Sequence, residues 1–143
     1  MKNFIKVVLG LFLALSFSCS FAQTKVPAKV SEAFSAKFPD AKDVKWGKES
    51  THEYEAEWKQ NEMGISANFS ETGEWLETET DIAESELPEA VLTAFHAKYG
   101  AETPIKEAAK IEKKGGKIGY EVEFKKGAKT AEVYFNADGT LAK

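Results

Sequence analysis

Acidic residues recur at every second position in two stretches, Glu53, Glu55 and Glu57 and then Glu77, Glu79 and Asp81. On a strand that period sends every carboxylate of a set to one face. Aligned carboxylates offer two kinds of chemistry: oxygen ligands for a hard cation such as Ca²⁺, or a negative field that draws a charged partner. Neither stretch has the loop and fixed glycine position of a dedicated calcium site. A solvated strand face is therefore the first reading, and a small-ligand or Ca²⁺ carrier using that face is the alternative.

Catalytic groups are harder to find. His52 and His96 have no metal-ligand spacing to each other or to cysteine. No GxSxG, no HExxH and no phosphate-cradling glycine loop occurs. Gly115, Gly116 and Gly119 are spaced like a hairpin turn. Asn68-Phe69-Ser70 matches a glycosylation acceptor, but its place within a strand argues against use. The expectation is a protein that is not an enzyme, with no cofactor, no catalytic residue and no metal ligand.

The elements that must position the carboxylates come in two copies. VPAKVSEAFSAKFPDA, Val26 to Ala41, returns sixty-one residues later as LPEAVLTAFHAKYGAE, Leu87 to Glu102. Val26, Val30, Ala33, Phe34 and Phe38, and in the second copy Leu87, Val91, Ala94, Phe95 and Tyr99, fall along one side of a helix. Pro27 and Pro88 sit at the first turn, where a missing N–H is tolerated. Pro39 stops the first helix by ring geometry and Gly100 the second by a left-handed C-cap. After each helix the period drops to two. Tyr54 to Trp58 and Tyr120 to Phe124 alternate, followed by Ile65 to Phe69 and Ala131 to Phe135. Earlier strands are expected at Asp43 to Lys48 and Ile105 to Lys113, and a fourth at Trp75 to Thr80, opposite which the second copy has only Leu141 to Lys143. The fold class is α+β: two tandem repeats, each one helix packed on a three- to four-stranded antiparallel sheet.

Alternation then sorts the faces. Tyr54, Trp58, Phe69, Tyr120, Phe124 and Phe135 belong under the helices. Glu55, Glu57, Ser66, Asn68, Glu121, Glu123, Glu132 and Tyr134 belong on the helix-free face, which is the expected partner-binding surface. A repeat of about sixty residues buries only about 60% of its unfolded surface, so two copies sharing sheet edges stabilise what one would leave marginal.

Bulk properties bound the partner. With 43% hydrophobic and 29% charged residues in 143, the chain is an ordinary globular protein. Residues 1–22 read as a signal peptide: Lys2 and Lys6, an apolar run from Val7 to Phe17, and Ser20-Phe21-Ala22 before a cleavage after Ala22. Cys19 raises lipidation as a second route, but Ser16, Phe17 and Ser18 fit a lipoprotein signal poorly. Residues 23–83 and 84–143 then form the two repeats of a periplasmic or secreted protein without cysteine, with no stable membrane insertion expected of it. This mature part has 17 lysines, 23 acids and no arginine, a net charge of −6. Phosphate recognition needs a basic face, so nucleic acid is excluded as a partner. The imbalance is local: Gln23 to Glu86 carries −8 and Leu87 to Lys143 carries +2.

The order VP..V..AF..KFP.A, then V.W, then an alternating Y.A.W strand, then F..TGEWL resembles the PepSY-like family of exported bacterial proteins, also described as beta-lactamase-inhibitor-like. The resemblance covers essentially the whole mature chain, once per repeat. The second copy departs from it with Glu107 where Trp46 stands and Leu141 where Trp75 stands. The resemblance implies a bent antiparallel sheet and a binding or inhibitory role, with no active-site residues to carry over. The expected function is an exported binding module for a protein or peptide, acting on a secreted or periplasmic enzyme.

Overall fold

The computed structural model describes residues 24–142; the signal segment, its cleavage site after Ala22 and Cys19 lie outside the described residues. Helix α1 spans Ala28–Lys37 and α2 spans Glu89–Tyr99. Each follows a proline that stands one residue before the helix, at the N-cap rather than inside the first turn. The Pro27 carbonyl accepts the N–H groups of Val30 (3.0 Å) and Ser31 (3.2 Å), and the Pro88 carbonyl those of Val91 (2.9 Å) and Leu92 (3.1 Å). The prolines thus open the helices with a fixed φ and no N–H to satisfy. Phe38, restricted by Pro39, leaves helical geometry at φ −126°, ψ 66° and ends α1. Gly100 ends α2 at φ 108°, ψ 141°. Its φ is positive as expected, but ψ is extended, so the left-handed cap does not form. Instead the Thr103 hydroxyl donates to the Tyr99 carbonyl at 2.6 Å and satisfies one of the orphan acceptors.

Seven antiparallel strands form one sheet in chain order: β1 Lys45–Lys48, β2 Glu53–Gln60, β3 Met63–Ser70, β4 Trp75–Ile82, β5 Ile105–Lys113, β6 Lys117–Lys126 and β7 Lys129–Asn136. The repeats therefore fuse edge to edge. Glu77 to Ile82 of β4 pairs with Lys113 to Ala108 of β5, so neither repeat leaves an open strand at the junction. The β2–β3 hairpin turns on Asn61 and Glu62, both at positive φ (52° and 68°), the requirement of a two-residue primed turn. Gly119 is not part of the turn expected for it; it lies inside β6, paired with Ile111 and Asn136.

Both helices lie on one face, each over its own core. Under α1, Val30, Phe34, Ala56, Trp58, Ala67 and Phe69 are buried, with Phe34 meeting Trp46 and Trp58 edge-on at 5.2 and 5.3 Å. Under α2, Leu87, Val91, Phe95, Val122, Phe124, Val133 and Phe135 are buried, with Phe95 edge-on to Phe124 at 5.2 Å. The turns after β3 and β7 clamp the helix starts in the same way: Gly73 packs on the Lys29 carbonyl and Gly139 on the Ala90 carbonyl, both at positive φ.

Strand pairing corrects one equivalence. Trp46 pairs with Ala56 and Ala108 with Val122, the corresponding residue of the second copy. Ala108, not Glu107, therefore occupies the place of Trp46. Leu141 does stand where Trp75 stands: Trp75 pairs with Phe69, and Leu141 forms a single bridge to Phe135.

Candidate functional site: the helix-free sheet face

Four rows of side chains cross the face that the helices leave uncovered. Glu55, Asn68, Glu77 and Lys113 make one, and Lys45, Glu57, Ser66, Glu79 and Ile111 the next. Asp81, Ala109, Glu121 and Tyr134 follow, and then Glu107, Glu123 and Glu132. All eight residues that alternation assigned to this face stand on it, and the acids of β4 join them. Strand period produces this arrangement: on β2, β4 and β6 the acids recur at every second residue and so share one face.

The face is concave. A cavity of about 500 Å³ is lined by Lys42 and Asp43 beside β1 and by residues of every strand from β1 to β6, among them Glu57, Ser66, Glu79, Asp81, Ala109 and Glu121. Curvature buries what alternation left open. Ile111 is 2% exposed although it belongs to neither helix-side core. Ser66 is 8% and Glu123 5% exposed. The expectation of a fully solvated face is thus corrected for these positions, and for Glu123 in particular, whose carboxylate is held by the Lys106 ammonium. Lys106 also reaches Glu107 at 3.4 Å, and Lys113 pairs with Glu77 at 3.2 Å.

Withdrawal from water and crowding of like charge raise the remaining acids. Burial pushes the Glu79 carboxyl up to about 8, with repulsion from Glu121, Glu77 and Glu55 adding to it and Lys113 opposing. Burial likewise brings Glu55 to about 7, with repulsion from Glu57 and Glu49 and partial relief from the Ser66 hydroxyl. Glu121 also reaches about 7, through burial and then Glu132, with Tyr134 opposing. Asp81, whose carboxylate accepts the Gly64 N–H at 3.1 Å, is raised mainly by burial as well. Tyr134 donates to Glu132 at 3.4 Å, and its own hydroxyl is pushed far up by burial and by Glu121.

This surface can hold positive charge, but not by gathering ligands round one ion: among the described residues no three of His, Cys, Asp or Glu converge on a metal-sized point. His52 bonds to Glu71 at 3.2 Å on an exposed bend, and His96 sits near the Gly100 carbonyl at 3.2 Å, both away from the face. Sequence reasoning named Glu77, Glu79 and Asp81 for cation chemistry without placing them on the binding face. It missed Ile111 and Lys106, for which only strand register gives the signal.

Two helix-on-sheet repeats fused into one antiparallel sheet, with one face bare and concave, define a tandem α+β protein. The chain belongs to the family described as "Putative beta-lactamase-inhibitor-like, PepSY-like", whose model matches residues 18–66 and again 52–143. Among solved structures it is similar to a BLIP-like protein from Bacteroides fragilis, at 24% identity over 83% of this chain and 84% of that one, with a TM-score of 0.66. A "putative periplasmic" protein from Bacteroides eggerthii matches at 20% identity, 83% and 87% coverage and a TM-score of 0.74. A DUF2874 family protein from Bacteroides uniformis matches at 21%, 83% and 88%, and 0.73. These likenesses establish the fold. No curated protein matches the chain. Among the described residues no helix is long and apolar enough to cross a membrane.

Proposed function

We propose that the mature chain is an exported, non-enzymatic binding module whose concave, helix-free face holds a protein or peptide partner, and that an exported enzyme inhibited by it is that partner. The observation that carries this reading is the bare concave face itself: a cavity of about 500 Å³, lined by Ser66, Glu79, Asp81 and Glu121 together with apolar Ala109, set on a seven-stranded sheet with the helices confined to the other side. Sites on strands hold geometry better than sites on loops. The signal segment and the inhibitor-like family support an extracytoplasmic role, and the repeats are read as residues 23–83 and 84–143.

Capture from a cell-envelope extract tests it, with wild type, Glu57→Lys/Asp81→Lys and a helix-side control, Glu32→Lys/Glu89→Lys, compared as bait. A partner kept by the control and lost by the face variant supports the proposal; one kept by both refutes it. Under the alternative, a Ca²⁺ carrier on the acidic face, calorimetry would show Ca²⁺ binding at about millimolar or tighter. The dispersed carboxylates give that reading no ligand sphere.

A further inference from the structure

The cavity floor lies among carboxylates with no cation of their own. Among the described residues Glu55, Glu57, Glu79, Asp81, Glu121 and Glu132 form no ion pair, whereas their neighbours Glu77 and Glu123 do. The unpaired acids come from β2, β4, β6 and β7, and the strands between them present Ser66, Asn68, Ala109 and Ile111, so carboxylates crowd one face with few lysines among them. Like charges crowded on one face repel, and the lysines nearby leave part of the deficit standing: Lys113 and Lys106 are engaged, Lys45 faces Glu57 from the β1 edge, and Lys42 and Lys59 line the cavity without an ion pair among the described residues.

Resting on the reading of this face as the binding surface, we propose that it takes a cationic segment of the partner protein, a lysine- or arginine-bearing extended stretch laid across the strands from β2 to β6. Charge complementarity selects the chemistry, and dimensions select a segment over an ion. Four strand intervals span about 19 Å, the reach of about six extended residues, and the acids are spread over that span instead of meeting at a point.

Binding is then linked to protons. Glu79 faces Glu77 on its own strand, Glu55 from β2, Glu121 from β6 and Lys113 from β5. Glu121 faces Glu123 beside it, Glu132 and Tyr134 from β7 and Asp81 from β4. Ser66 and Asn68 of β3 lie between the acids of β2 and β4, and Lys45 stands at the β1 edge. Lys42 and Lys45 line the cavity on the β1 side and Lys59 acts on Asp81, but acids outnumber lysines along the cavity as a whole, and several of these carboxyls hold protons near neutral pH. A cationic segment displaces them, so affinity rises with pH up to about 8.5.

The test is fluorescence anisotropy of labelled hexalysine on the mature protein at about pH 6 and about pH 8.5. Wild type should bind about tenfold or more tightly at the higher pH. Glu79→Gln/Glu121→Gln should lose about tenfold at the higher pH together with most of the pH dependence. The charge-matched helix control Glu32→Gln/Glu89→Gln should stay within about twofold of wild type. Should the first variant fail to fold, Glu57→Gln/Glu132→Gln serves the same comparison. Absence of hexalysine binding, equal loss in face and helix variants, or affinity that does not change with pH overturns the inference. Spermine binding tighter than hexalysine overturns the assignment to a protein segment. If face substitutions release a captured partner that hexalysine does not displace, the inference fails while the binding face stands; if they leave the partner bound, both fail.

Discussion

Glu79 on β4 and Glu121 on β6 share the concave face with only β5 between them, and Glu121 is the strongest like-charge influence on the Glu79 carboxyl. Neither is paired with a lysine within the described residues. The fold therefore holds two carboxyls close enough for the charge of Glu121 to raise the affinity of Glu79 for a proton.

Stability should fall as the solution becomes alkaline. Glu55, Glu79 and Glu121 titrate near 4.5 in an ordinary setting and near 7 to 8 here. Between those values the folded chain binds more protons than the unfolded one, so their contribution is complete below about pH 4.5 and is lost as pH rises through about 8. Solvent screening within the open cavity moderates the effect to about 3 kcal/mol between pH 5 and pH 9. Thermal melts across that range should show the midpoint falling, and Glu79→Gln should flatten the curve. A midpoint constant across the range contradicts the crowding of these acids.

Glu123 and Glu57 share a face and differ in consequence. Glu123 is buried and bound to Lys106, so Glu123→Lys would bury an ammonium without a partner next to that of Lys106 and should cost about 3 kcal/mol. Glu57 is half-buried, without a cation and close to Glu55, so Glu57→Lys should change stability by less than about 1 kcal/mol. Urea unfolding of the two variants checks the difference, and equal costs would place Glu123 in solvent.

The two-residue period of Tyr54 to Trp58 and Tyr120 to Phe124 was enough to assign side chains to faces, because alternation is a property of the strand itself. Register was not legible. The shifts between Asn68 and Phe69 and between Ile105 and Glu107 arise from pairing with a neighbour, and a one-residue shift moves the equivalent of Trp46 from Glu107 to Ala108. Curvature was illegible for the same reason. Alternation places Ser66, Ile111 and Glu123 on the bare face, but it takes the whole sheet to bend that face over them.

Gly73 and Gly139 should be the least replaceable glycines. Each has positive φ, 86° and 81°, and a methyl group would collide with a helix carbonyl, that of Lys29 at 2.6 Å for Gly73 and that of Ala90 for Gly139. Gly115 has φ 87° but open space around it. Replacement by Ala should cost about 3 kcal/mol at the first two and about 1 kcal/mol at Gly115. Denaturation midpoints decide; three similar values would mean that the turns do not bear on the helices.

Trp58 is 5% exposed and sits between Phe34 at 5.3 Å and Phe38 at 4.8 Å. Trp58→Ala should leave a void and cost about 3 to 5 kcal/mol. Calorimetry on the mature chain checks this, and a cost below about 1 kcal/mol would contradict the core assigned to the first repeat.

The binding face itself is tested most directly by a photo-crosslinking amino acid placed at Glu57, inside the concave face, or at Ala97, exposed on α2. With both proteins offered to a cell-envelope extract, a covalent adduct to one exported protein should form from position 57 and not from position 97. The same adduct from position 97, with none from position 57, would put the partner on the helix side and contradict the assignment of the concave face as the binding surface.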